Sequence, residues 1–209
     1  MKLSLRTLSL ATVAAATLAV APAAHADTLY PIGNTAPTVV GGIGSPLSIV
    51  SNSVVTATYT ISYTAAVYED ADAAHTLDFF YKITGFTATG SDAVTNLSIS
   101  AYTPLDLLSV EAVGSGQTPT SPADLGTNGV LNVSFIGDPI ANGDTSQTLW
   151  LITDATTYTF GTFTSQDASV ATLSGYEPIA PPVPEPGTFA LMGTGLLAAA
   201  GAIRRRVKA

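Results

Sequence analysis

The chain has 209 residues, with fifteen acidic against seven basic side chains, no cysteine and a formal net charge of −8. Lys2 and Arg6 lie near its start and Arg204, Arg205, Arg206 and Lys208 near its end, so residues 27–182 hold fourteen acids against Lys82 alone, a formal charge of −13. That surface repels phosphate backbones and excludes nucleic acid as a partner, while the lack of cysteine removes thiolate nucleophiles, thiolate metal sites and thiol redox chemistry.

Residues 1–26 have the layout of a secretory signal, expected as an N-terminal signal helix. Lys2 and Arg6 form a positive start, residues 8–21 are apolar, and Ala24-His25-Ala26 is an A-x-A cleavage site that places the cut before Asp27. An uncleaved anchor is the alternative, and the short, alanine-rich apolar run speaks against it. Export is compatible with the lack of disulfides when a domain of this size buries an adequate core.

Residues 27–173 read as one β-domain. Between 27 and 53, Pro31, Pro37, Gly41, Gly42, Gly44 and Pro46 separate short apolar pieces, which predicts edge strands and turns. From Val55 the chain alternates strictly. Val55, Ala57, Tyr59, Ile61, Tyr63, Ala65 and Val67 take one face, with threonine and serine prominent on the other, which predicts one long strand. A polar loop from Glu69 to His75 leads into a second alternation at Leu77, Phe79, Tyr81 and Ile83, with Asp78, Phe80, Lys82 and Thr84 opposite. The pair predicts a wide antiparallel hairpin, with Gly85 as a bulge or turn point. Further strands are expected at 96–102, 107–113, 130–136, 148–153, 157–164 and 169–173, while 121–126 could form one helical turn. Short strands at this spacing indicate an all-β fold, an antiparallel β-sandwich of jelly-roll or immunoglobulin-like topology. Residues 174–187 then form a proline-rich spacer.

Catalytic constellations are missing from the pattern. His75 is the one histidine of residues 27–182, no G-x-S-x-G elbow accompanies it, and a zinc site is not expected from one histidine without cysteine. Glu69, Glu111 and Glu177 are far apart in sequence, and the aspartates favour turns, where they satisfy local main-chain donors. The domain is therefore expected not to be an enzyme and to carry no cofactor. Calcium suits the residues better than zinc: Glu69, Asp70 and Asp72 cluster hard oxygens in one loop, and Asp138 and Asp144 bracket another. A solvated acidic loop is the plainer reading and carries more weight. Thr56, Thr58 and Thr60 have the Thr-x-Thr spacing of some ice-binding surfaces, a spacing that any half-exposed strand also shows.

The last stretch is more specific. Val183, Pro184, Glu185, Pro186 and Gly187 precede an uncharged run, 188–203, and the basic cluster Arg204, Arg205, Arg206 and Lys208 closes residues 204–209. The run suits a transmembrane helix with a cytoplasmic basic end. It would rise only about 24 Å, short of a hydrocarbon core of roughly 30 Å, which suits a transient anchor better than a permanent one. These three elements in this order resemble the PEP-CTERM sorting signal of exported bacterial proteins. A tail of this kind also goes by the description ice-binding protein C-terminal domain, which names the tail alone. The resemblance implies an exosortase as processing partner beside signal peptidase, and transient residence in the inner membrane. Delivery to the cell surface or extracellular space would follow, in association with exopolysaccharide or biofilm. Pro184, Glu185 and Pro186 would then be recognised rather than catalytic. The expected role is structural or adhesive; a carbohydrate- or calcium-binding module is the first alternative, and a secreted hydrolase the second.

Overall fold

A pleated strand that alternates apolar and polar side chains can bury one face and wet the other, and two such sheets can share a core. The computed structural model of the chain follows this rule, and it describes residues 28–73, 75–102, 107–166 and 169–179. All of these lie in one compact unit. Their strands are β1 (Thr28–Tyr30), β2 (Ile32–Gly33), β3 (Ser48–Val55), β4 (Tyr59–Glu69), β5 (Leu77–Ala88) and β6 (Asn96–Ile99). They continue with β7 (Leu107–Val113), β8 (Ala123–Leu125), β9 (Leu131–Ser134), β10 (Thr148–Thr153), β11 (Tyr158–Gln166) and β12 (Val170–Pro178). No helix occurs among the described residues, and none there is long and apolar enough to cross a membrane.

The strands form two six-stranded sheets, ordered β1-β8-β9-β6-β11-β12 and β2-β7-β10-β5-β4-β3. Pro31 lies between β1 and β2, so the chain crosses there from the edge of one sheet to the edge of the other. β2 pairs with β7 in parallel, which makes the second sheet mixed where a purely antiparallel arrangement was expected. One buried cluster joins both sheets: Ile61, Tyr63, Phe79, Tyr81 and Leu151 face Leu97, Val133, Phe163 and Leu173. Phe163 meets Tyr63 and Tyr81 edge-on, at 5.4 and 5.1 Å between centroids. At the far edge the sheets are tied by polar contacts. Ser48 donates to the Tyr176 hydroxyl at 2.8 Å, and the Ser174 N–H donates to the Tyr63 hydroxyl at 2.9 Å.

Several boundaries differ from expectation. The alternation starting at Val55 is not one strand: Thr56, Ala57 and Thr58 form the turn between β3 and β4, and the Thr56 N–H donates to the Tyr59 carbonyl. Thr56 and Thr58 therefore do not share a strand face with Thr60, and the Thr-x-Thr array is not built. The β4–β5 hairpin is present, and its register shifts where Ser62 faces Gly85 and Tyr63 faces Ile83. Residues 123–125, expected within a helical turn, are β8, which adds to β9 and carries β1. β12 reaches Pro178, so residues 174–178 belong to the sheet rather than to a spacer. The expected signal helix and cleavage residues, the proline-rich motif, the membrane run and the basic end lie outside the described residues.

Candidate functional site

At one end the second sheet is covered on both faces, which the sequence pattern does not announce. On its outer face Ala66 and Tyr68 from β4 and Trp150 from β10 are buried together with Val39 from the preceding loop, and Phe80 packs against them. Trp150 lies 5.1 Å from Tyr68 and 5.2 Å from Phe80, in tilted and edge-on contacts. Val39 is held there by a bridge to Asp70, and the Tyr68 hydroxyl donates to the Ile43 carbonyl at 2.7 Å.

Asp78 lies on this same outer face. Its cross-strand neighbours are Tyr68 on β4 and Ile152 on β10, and its side chain is fully buried. Neither carboxyl oxygen has a hydrogen bond of ordinary geometry. Burial is the main force that pushes its pKa up to about 7; the neighbouring Asp70 adds to the rise, the Thr153 main chain opposes it, and Asp72 adds further. Asp78 is therefore a carboxyl that changes charge near neutral pH, seated beneath the Glu69–His75 loop.

That loop does not gather Glu69, Asp70 and Asp72 around one point, so the calcium alternative finds no ligand cluster among the described residues. The Asp70 carboxylate accepts from the Asp72 N–H at 2.7 Å, a turn-closing role, while Glu69 lies 3.5 Å from the exposed His75 imidazole. Asp138 accepts from the Thr118 N–H, and Asp144 accepts from Gln117 and from the Ala141 N–H. Among the described residues, no three histidine or carboxylate side chains converge on a point that could hold a metal ion. Carboxylates that accept from their own turns have fewer lone pairs and less freedom to surround a cation.

A second polar centre lies inside the core. The Tyr81 hydroxyl donates to the Tyr176 carbonyl and stands 3.2 Å from the Tyr102 hydroxyl. Burial raises both phenols above their ordinary range, so they remain protonated donors. On the surface nearby, Phe160 is 74% exposed and rests on Tyr176 at 5.2 Å, with Tyr158 edge-on to Tyr176 at 5.7 Å. These rings form an aromatic patch; Glu177, paired with Thr159 and set over Gly161, turns to the other face of the sheet, and burial raises its pKa.

In the sequence Asp78 simply alternates with the apolar face of Leu77, Phe79, Tyr81 and Ile83, which marks it as no more than an outward residue. The available signal was its company: Phe80 two positions on, and Tyr68 and Trp150 on neighbouring strands, make an acid in that row an exception. The predicted sorting residues Val183, Pro184, Glu185 and Pro186, the cleavage residues Ala24, Ala26 and Asp27, and the basic residues 204–206 and 208 lie outside the described residues. Comparison with known proteins bears on the first group. No curated protein and no solved structure matches the chain, and the β-domain matches no family. Residues 182–206 match the family described as the PEP-CTERM protein-sorting motif. The chain therefore carries a PEP-CTERM protein-sorting motif, which implies export and exosortase-dependent sorting to the cell surface.

Proposed function

We propose that the β-domain is the cargo of this address: a cell-surface or matrix protein with a structural or adhesive, non-catalytic role. The observation that carries the reading is the sorting motif at residues 182–206. The use made of the carboxylates supports the non-catalytic part, because Asp70, Glu111, Asp138 and Asp144 each accept from a main-chain donor in or beside a turn or loop. Replacing Pro184, Glu185 and Pro186 by alanine tests the sorting. The precursor is expected to accumulate in the inner membrane, and unchanged processing overturns the assignment. Mass spectrometry of the protein from its own cells then fixes both mature ends and any attached group.

A second reading, a carbohydrate-binding module, is favoured by one feature, the exposed Phe160 ring set on Tyr176. Flat aromatic faces stack on the apolar faces of sugar rings, as they do on other π- or C–H-rich surfaces. Retention of the domain on a polysaccharide column, lost in Phe160→Ala, supports this reading, and equal retention of both proteins removes it.

A further inference from the structure

β3 is the free edge of its sheet: it pairs with β4 on one side, and no described strand follows it on the other. Natural edges are blunted by lysine, proline, a bulge or an inward-turned charge. Ser48–Val55, SIVSNSVV, has no such residue and keeps an unbroken register with β4. No charged residue occurs anywhere from 48 to 68.

The hydrogen-bond phase shows which groups are open. The Thr56 N–H donates to the Tyr59 carbonyl at 2.8 Å, which makes Thr56 and Tyr59 a hydrogen-bonded pair. Alternation along an antiparallel ladder then turns the main chain of Val54, Asn52 and Val50 toward β4, and that of Val55, Ser53, Ser51 and Ile49 toward the open edge. Ser53 agrees, since its N–H is capped by the Asn52 side-chain oxygen at 2.8 Å rather than by β4.

This open edge reads nearly the same in both directions from Asn52. Ser51 and Ser53 flank it, then Val50 and Val54, then Ile49 and Val55. Self-complementarity of this kind is what a two-fold interface requires, because each residue meets its counterpart on an identical strand. We propose that β3 pairs antiparallel with β3 of a second copy of this chain, about a two-fold axis at Asn52, joining the two sheets edge to edge.

In this register Ser51 faces Ser53 and Ile49 faces Val55, both as hydrogen-bonded pairs that use the open main-chain groups, and each occurs twice. Side chains also match by face. Ile49 and Val55, 56% and 75% exposed, meet on the outer face, while Val50 and Val54, which pack against the core, meet on the inner one. A shift of one residue would set inner against outer side chains and lose both matches. The acidic domains repel at long range, but the strip that touches is uncharged. Asn52 faces itself at the axis and must release the Ser53 N–H, so in the single chain it acts as a cap on the edge.

The natural chain has no cysteine, so cross-linking can read the register in the full-length exported protein. Asn52→Cys stands at a non-hydrogen-bonded pair about 4.5 Å from its counterpart, within disulfide reach. Ile49→Cys lies roughly 20 Å from its own counterpart and cannot pair with it, but can pair with Val55→Cys on a co-expressed copy. The expected result on non-reducing gels is a dimer for Asn52→Cys and for the mixed Ile49→Cys and Val55→Cys chains, with Ile49→Cys alone monomeric. Adding Ser53→Pro to Asn52→Cys removes an outward donor, spares the β4 ladder and is expected to cut cross-linking at least tenfold. A monomeric Asn52→Cys protein, or Ile49→Cys cross-linking as fully as Asn52→Cys, overturns the proposal. Sedimentation of the unsubstituted full chain in detergent decides independently of any variant's folding: dimeric mass supports the pairing, and monomeric mass at micromolar concentration overturns it.

Discussion

Replacing Asp78 by asparagine should change how stability depends on pH more than it changes stability itself. The folded carboxyl titrates near 7 and the unfolded one near 3.8, so folding favours the protonated form. The sign follows from proton binding: between these values the native state holds a proton that the unfolded state has lost. Stability attributable to this group is whole below about pH 4 and declines as pH rises, with the loss complete above about pH 7. At about 1.4 kcal/mol per pKa unit the ceiling is about 4 kcal/mol. Water penetration and local relaxation lower the observed value to about 2 kcal/mol, because buried sites behave as though their dielectric constant were well above that of a dry interior.

Asparagine keeps the shape and cannot ionise. It also buries an amide without an assigned partner, but that cost is the same at every pH and cancels when slopes are compared. Urea unfolding at pH 4.5 and 7.5, in a chain ending before Val183, measures the difference, with fluorescence of Trp150 as the probe because the single tryptophan is buried on the same face. The natural chain is expected to lose about 2 kcal/mol more than Asp78→Asn over that interval. Parallel profiles for the two proteins would refute the reasoning, since they would show that Asp78 ionises as freely in the fold as outside it.

Phe163→Ala removes a fully buried ring that bridges Tyr63 and Tyr81, and it should cost about 3–5 kcal/mol by thermal or urea unfolding. Gly116 has φ +124°, and a methyl there would run into the Ser146 carbonyl and meet the Gln147 nitrogen at 2.8 Å. Gly116→Ala should therefore lower the unfolding midpoint sharply, whereas Gly143→Ala, at φ +91° but in open space, should lose only the backbone strain of about 1–2 kcal/mol. Millimolar calcium followed by EDTA should leave the unfolding midpoint where it was, because Asp70 and Glu69 are committed to Asp72 and His75; a rise of several degrees would show a site that these contacts do not reveal.

The period of two along the chain was enough to determine the all-β class, the β4–β5 hairpin and the position of β7 and β10, because alternation is a local property of each strand. The sorting motif was equally legible, since it is read as a linear string. Alternation could not show the turn at Thr56–Thr58, where polar and apolar residues keep their order through a bend without glycine or proline. It could not show that residues 174–178 continue a strand, because pairing with β11 outweighs the breaker at Pro178. The parallel β2–β7 pairing, the second covered face and the state of Asp78 were decided by tertiary structure alone. Whether a carboxylate is solvated or buried depends on Tyr68, Ile152 and the Glu69–His75 loop. Those groups are distant or indifferent in sequence, and their desolvation energy exists only once the sheet and loop have met.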